Sequence, residues 1–150
     1  MTEIIQEKLE KKLRFLQDAV NQLSKYQKLS PAEYNNDPRN ELAVERLFQI
    51  CLEAVIDTAR LLIIEHQLEK PQDNRGEFEI LSGATIISSD LANHLSAAKR
   101  FRNVLVHDYV SVDKEQVYRN LQEDLEDIQK FQQVIAQYLL KNKSGSAQTR

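Results

Sequence analysis

The sequence predicts an all-α protein, an up-and-down bundle of about four to five helices. Three observations lead there. Glycine and proline are scarce, three of each in 150 residues, and tryptophan is absent. The remainder is rich in Leu, Glu, Gln, Lys and Ala, which favour helix and leave little turn chemistry for a many-stranded sheet. Apolar residues recur at three- and four-residue spacing through most of the chain, and capping residues stand where the runs begin.

The first helix is predicted over residues 2–28, where Ile5, Leu9, Leu13, Leu16, Val20 and Leu23 form one stripe. Ser30-Pro31-Ala32-Glu33 carries a capping residue, proline at the first helical position and glutamate at the third, so it predicts a short turn of helix. Asp37-Pro38 starts a long helix to about residue 68. Its apolar residues, among them Phe48, Cys51, Leu52, Val55, Ile56, Ala59 and Leu62, cover most of the circumference, which marks a central helix with several neighbours. Its polar stripe is Arg46, Glu53, Asp57 and Arg60. A short helix is expected over 77–87, beyond the loop at 71–76.

Ser88-Ser89-Asp90 caps a fourth long run ending near Val106, and Asp113 caps a last helix that ends near Leu140. One domain, residues 1–140, is expected, with a small polar tail, 141–150, expected to be disordered.

The net charge of −3 does not advertise nucleic-acid binding, so any such binding needs a local patch or a pair of subunits. The one cysteine, Cys51, excludes an internal disulfide and reads as a small core residue. No cofactor and no metal site are expected: no H-E-x-x-H, Walker or paired-cysteine pattern occurs. The N-terminal residues lack signal-peptide features, and no apolar run approaches the ~20 residues of a membrane span. A cytoplasmic protein without membrane contact is the expectation.

The run from Ser89 holds an anomaly. With Leu91 as reference and about 100° per residue, Leu95, Ala98 and Leu105 share one stripe, and Arg102 falls in its middle. A guanidinium on a core-facing line keeps its proton, so it needs acceptors or a wet cleft. Glu53 and Asp57, one turn apart on the central helix, are candidate acceptors, although Arg60 would serve that pair equally well. A structural salt bridge explains the same spacing. His107, five residues after Arg102, points about 140° away from it on an unbroken helix. The two can share a site if the helix ends near Val106 and the chain turns, or if the two side chains come from different subunits. A histidine at a helix C-terminus also has a plain dipole explanation, and Tyr109 a plain packing one.

Arg102-Asn103-Val104-Leu105-Val106-His107-Asp108-Tyr109 resembles the R-x4-H-x-Y motif of HepT toxins, in the HEPN superfamily. The segments Glu53 to Ala59, Phe78 to Leu81, Leu91 to Leu95 and Asp113 to Leu125 resemble the same family, so the likeness covers most of the chain. One departure is Lys99-Arg100 before Phe101, where relatives often carry small residues; it makes the approach more basic. The resemblance implies a HEPN-like homodimer with a composite cleft, and a metal-independent endoribonuclease that in some members acts on tRNA. It also implies a partner, a minimal nucleotidyltransferase (MNT) antitoxin that adds AMP to the motif tyrosine, here Tyr109. Arg102 and His107 are then the catalytic pair. Asn103, Tyr109 and Arg100 are expected to bind substrate, and Glu53 and Asp57 to support Arg102. The rival reading is a non-catalytic HEPN module that the nucleotidyltransferase binds or modifies; a duller one is a structural bundle with a buried arginine–carboxylate pair. His66 and His94 are expected to be structural or exposed, with Asp90 as a helix partner for His94. Glu123, Asp124, Glu126 and Asp127 read as a solvated acidic face or as antitoxin contacts.

Overall fold

The computed structural model describes residues 3–69, 76–108, 110 and 112–148, with side chains as far as residue 142. Six helices follow in chain order: α1 (Glu3–Gln27), α2 (Pro31–Asn36), α3 (Pro38–Glu65), α4 (Glu77–Gly83), α5 (Ser89–His107) and α6 (Lys114–Gln148). The described residues contain no strand.

The starts are set by the expected caps. The Ser30 hydroxyl accepts the Glu33 amide at 3.1 Å, and the Glu33 carboxylate accepts the Ser30 amide at 2.9 Å, a complete capping box for α2. Asp37 accepts the Arg39 amide at the head of α3, and Ser88 accepts the Leu91 amide at the head of α5.

Two ends differ from the expectation. The helix expected over 77–87 stops at Gly83, because Thr85 turns to φ 58 and sends the Ile86 amide back to the Leu81 carbonyl at 3.0 Å. That wrap satisfies the last carbonyls and buries Ile87. At the other end of the chain, α6 runs past residue 140 to Gln148, with no proline to stop it.

The central position of α3 is as the sequence predicts: α3 packs against each of the other five helices. Phe48, Leu52, Val55, Ala59 and Leu62 are sealed between Leu9, Leu16 and Leu23 of α1, Leu95 of α5, and Leu121, Leu125 and Ile128 of α6. Phe78 meets Phe131 edge to face, with ring centroids 6.3 Å apart, tying α4 to α6. Side chains of α6 also close the end of α1: Tyr118 donates to the Leu29 carbonyl at 2.7 Å and Gln122 to the Gln27 carbonyl at 3.2 Å. None of the described helices is long and apolar enough to cross a membrane.

Candidate active site

The stripe read from the sequence is the packed face of α5. Leu91, Leu95, Ala98 and Leu105 are buried, and Arg102 lies among them half-buried. Its Nε atom is fully enclosed and reaches no hydrogen-bond acceptor. An enclosed donor of a permanently charged group carries a desolvation cost, which a functional site retains and a purely structural one tends to lose.

The expected acceptors are corrected. Asp57 takes Lys12 of α1 at 3.2 Å, and Glu53 is exposed to solvent. Neither is bonded to Arg102, because both stand on the outer and α1-facing sides of α3, away from the stripe that α5 packs against. Arg60 does not serve that pair either: it bonds Glu77 at the head of α4. Lys99 reaches the same carboxylate at 2.6 Å. Burial pushes the Glu77 carboxyl up, but the bond from Lys99 and the charges of Lys99 and Arg60 outweigh it, leaving the carboxyl below its usual range. Lys99 is therefore committed to the fold. The basic approach to the motif reduces to Arg100, which is exposed.

α5 does not stop at Val106. The Asp108 amide bonds the Val104 carbonyl at 2.9 Å, so His107 is the last helical residue, and it is exposed. The two motif side chains therefore leave α5 about 140° apart. Arg102 lies on the packed face of α5 and His107 is exposed at its last turn. Asn103 is half-buried between the two. Tyr109 lies outside the described residues.

One residue near the motif was missed by sequence reasoning. Glu45 of α3 is buried at 4% exposure, on the same stripe as Phe48, Leu52, Ala59 and Ile63. That periodicity was available: an acid at a core position of the central helix is the same anomaly as Arg102 on α5. The opposing helix is fixed in register by Phe48, which meets Phe101 edge to face with centroids 6.2 Å apart. Beside Glu45, a pocket of about 360 Å³ is lined by Pro38, Glu41, Leu42, Val112 and Lys114. Lys114 pairs with Glu41 at 3.4 Å, holding the start of α6 against α3. Burial and the charges of Glu41 and Glu45 push the Tyr34 phenol far up, so it stays neutral, and its ring meets that of Tyr118 at a tilt of 57° with centroids 5.0 Å apart.

The remaining candidates have structural explanations. Burial pushes the Cys51 thiol up to about 12, which removes it as a nucleophile. His66 packs on the Tyr138 ring at 5.5 Å. His94 takes Asp127 of α6 at 3.1 Å rather than Asp90. The acidic face is only partly solvated: Asp127 is buried, and burial together with Asp127 and Glu123 pushes Asp124 up to about 7, against the opposing pull of His94. Among the described residues no group of three or more His, Cys, Asp or Glu side chains is placed to hold a metal.

Comparison with known proteins gives a consistent result. The chain is 26% identical over 140 residues to the tRNA nuclease HepT of Aphanizomenon flos-aquae, covering 93% of this chain and 95% of that one. It is 36% identical over 87 residues to the mRNA nuclease HepT of Shewanella oneidensis, covering 58% of this chain and 65% of that one. Among solved structures, the tri-AMPylated Shewanella oneidensis HEPN toxin in complex with its MNT antitoxin superposes with a TM-score of 0.78 at 27% identity, covering 91% of this chain and 98% of that one. A toxin–antitoxin structure with AMP-PNP gives 0.77 at 26% identity, over 85% and 96%. The model of the family described as "Ribonuclease HepT-like" matches residues 16–135, most of the described bundle and all of the motif, and the chain belongs to that family.

Proposed function

We propose that this chain is the toxin of a HepT/MNT toxin–antitoxin pair: a metal-independent endoribonuclease of cellular RNA, tRNA among its candidate substrates, silenced when its antitoxin adds AMP to Tyr109. The observation that carries the reading is the placement of Arg102: a guanidinium half-buried on a core stripe, with an enclosed Nε and no carboxylate bonded to it among the described residues. A structural arginine would be paired. One kept free of a carboxylate suits a phosphate.

The chemistry follows from the side chains. The 2′-hydroxyl of the RNA attacks the adjacent phosphorus, the phosphorus–O5′ bond breaks, and a cyclic phosphate and a 5′-hydroxyl end remain. His107 moves the protons, taking one from the 2′-hydroxyl or giving one to the leaving oxygen. Arg102 offsets charge on the non-bridging oxygens through its planar fork. Asn103, Arg100 and Tyr109 bind the strand, Tyr109 by stacking or hydrogen bonding. Since Arg102 and His107 diverge on α5, the reading requires two copies, with Arg102 of one facing His107 of the other. Val104 and Val106 stand exposed on the last turns of α5, and Val110 is 97% exposed, an apolar edge suited to such a pairing. AMP on Tyr109, a residue of the same motif as Arg102, would add bulk and negative charge to the site and repel RNA phosphate.

The test is incubation of the purified protein with total tRNA in EDTA. Cleavage to fragments with cyclic-phosphate ends, lost in His107→Ala with the dimer intact, is expected. No cleavage by the wild type, with tight binding to the nucleotidyltransferase alone, would establish the non-catalytic module instead. With that antitoxin and ATP, a mass increase of one or more AMP groups is expected in the wild type and none in Tyr109→Phe. AMP found on another residue refutes the assignment.

A further inference from the structure

A chain of net charge −3 that handles RNA needs a local basic patch. The motif helix supplies only part of one, since Lys99 is committed to Glu77. A denser patch lies between α1 and α3, in a groove of about 560 Å³. α1 contributes Lys8, Lys11, Lys12 and Phe15 to its walls, and α3 contributes Asp57, Arg60 and Ile64. The lining thus sets four cations against one carboxylate.

The patch follows from the sequence of α1. At about 100° per residue, Lys8, Lys11, Lys12 and Phe15 share an arc of about 100°, beside the buried stripe of Leu9 and Leu16. Glu3, Glu7, Glu10 and Asp18 fall outside that arc, so α1 presents its cations to the groove and its acids elsewhere. Asp57 answers Lys12 at 3.2 Å, whereas Lys8 and Lys11 are exposed and bond no carboxylate among the described residues. Beside the lysines, Phe15 is 51% exposed, an aromatic ring that folding leaves uncovered. Arg60 gives the Nε edge of its fork to Glu77, which also takes Lys99 of α5. Two cations on one carboxylate leave a net positive charge there. Arg100 follows Lys99, so cations run from the groove to the helix that carries the motif.

We infer that this groove is a second RNA-binding subsite, where Lys8 and Lys11 take phosphates of a single-stranded stretch of the substrate and a base stacks on Phe15. Lysines lining a groove beside an exposed aromatic ring hold single strands without reading their sequence. Protein interfaces are instead depleted of lysine and enriched in Arg, Tyr and Trp, so a second protein fits this lining less well. The identity of the occupant rests on the ribonuclease reading. No motif residue lines the groove, so its contribution is to affinity and not to the chemical step.

The experiment measures binding of a short single-stranded 2′-O-methyl RNA, which lacks the attacking hydroxyl and is not cleaved. Wild type is compared with Lys8→Gln/Lys11→Gln, Lys8→Arg/Lys11→Arg and Phe15→Ala. All three positions are exposed, so the variants are expected to melt with the wild type. The glutamine pair should weaken binding roughly 10-fold and reduce the salt slope by about 1.4, the share of two phosphate contacts. The arginine pair keeps the charge and should bind as wild type does. Phe15→Ala should weaken binding about 10-fold with the salt slope unchanged, as loss of a stacked base does. On tRNA, the glutamine pair and Phe15→Ala should raise KM with kcat within about twofold. Unchanged affinity and salt slope in a folded glutamine pair overturn the proposal and leave the nuclease reading intact. A wild type that binds the RNA through the groove but cleaves no tRNA ends the nuclease reading and keeps the subsite. A wild type that binds no RNA overturns both. Loss of the dimer, or of nucleotidyltransferase binding, with RNA affinity unchanged overturns the proposal and assigns the groove to a second copy or to that partner.

Discussion

Phe48 of α3 and Phe101 of α5 meet edge to face, 6.2 Å between centroids and 90° between planes. This contact joins the central helix to α5 one residue before Arg102. Phe48 is fully buried while Phe101 is only partly so, which makes Phe48 the stronger determinant of register.

Phe48→Ala is accordingly expected to lower stability by about 3–5 kcal/mol, as a large core deletion does. Urea unfolding monitored by circular dichroism checks this. A loss below about 1 kcal/mol would mean that the ring contact does not hold the two helices in register.

Catalytic complementation tests the divergence of Arg102 and His107 on α5. Arg102→Ala and His107→Ala should each be inactive and folded. Mixed after mild unfolding and refolding, they should recover about one quarter of wild-type activity, because half of the dimers are mixed and each carries one intact composite site. Complete absence of recovery, with mixed dimers shown by mass spectrometry, would mean that each subunit builds its own site.

The carboxyl of Asp124 predicts a pH dependence with a definite sign. Its value in the folded chain is raised from 3.8 to about 7, chiefly by burial and then by Asp127 and Glu123, while His94 opposes the rise. A raised folded value favours the protonated form, so the contribution to stability is present below the unfolded value and is lost as pH rises through about 7. Asp124→Asn should therefore be more stable than wild type at pH 8. The gap should close as pH falls toward 4, because the wild-type carboxyl is then protonated when folded and increasingly so when unfolded. Melting curves from pH 4 to 8 measure it; a pH-independent difference would place the effect in packing instead.

Thr85 holds a left-handed backbone at φ 58 to end α4. A β-branched residue is strained there, by about 1–2 kcal/mol relative to glycine. Thr85→Gly should raise the melting temperature by about 3 °C for a domain of this size, less the chain entropy of the added glycine. A fall would show that the threonine side chain contributes packing that outweighs the strain.

Much of this molecule was readable before any coordinates. The capping box at Ser30 and Glu33, the broad apolar face of α3 and the buried stripe of Leu91, Leu95, Ala98 and Leu105 all follow from spacing within one helix. Arg102 stood out for the same reason. The end of α4 was not readable, because the turn at Thr85 depends on Ile86 and Ile87 being drawn against the core. The partners of Asp57, Arg60 and Lys99 were not readable either: each pairs with a residue on another helix, and periodicity does not say which charges meet across an interface.

The motif itself began as two residues five apart that needed either a broken helix or a second subunit. By itself the sequence determined that Arg102 lies on a core-facing line and that His107 diverges from it on an intact helix, because both follow from 100° per residue. Only the tertiary structure decided that α5 stays helical through His107, that Asp57 takes Lys12 while Glu53 is exposed, and that Glu45 is buried. Those outcomes depend on how far one helix slides and turns against another. That is set by the packing of Phe48 on Phe101 and by the charges gathered around Glu77, contacts between residues dozens of positions apart in the chain.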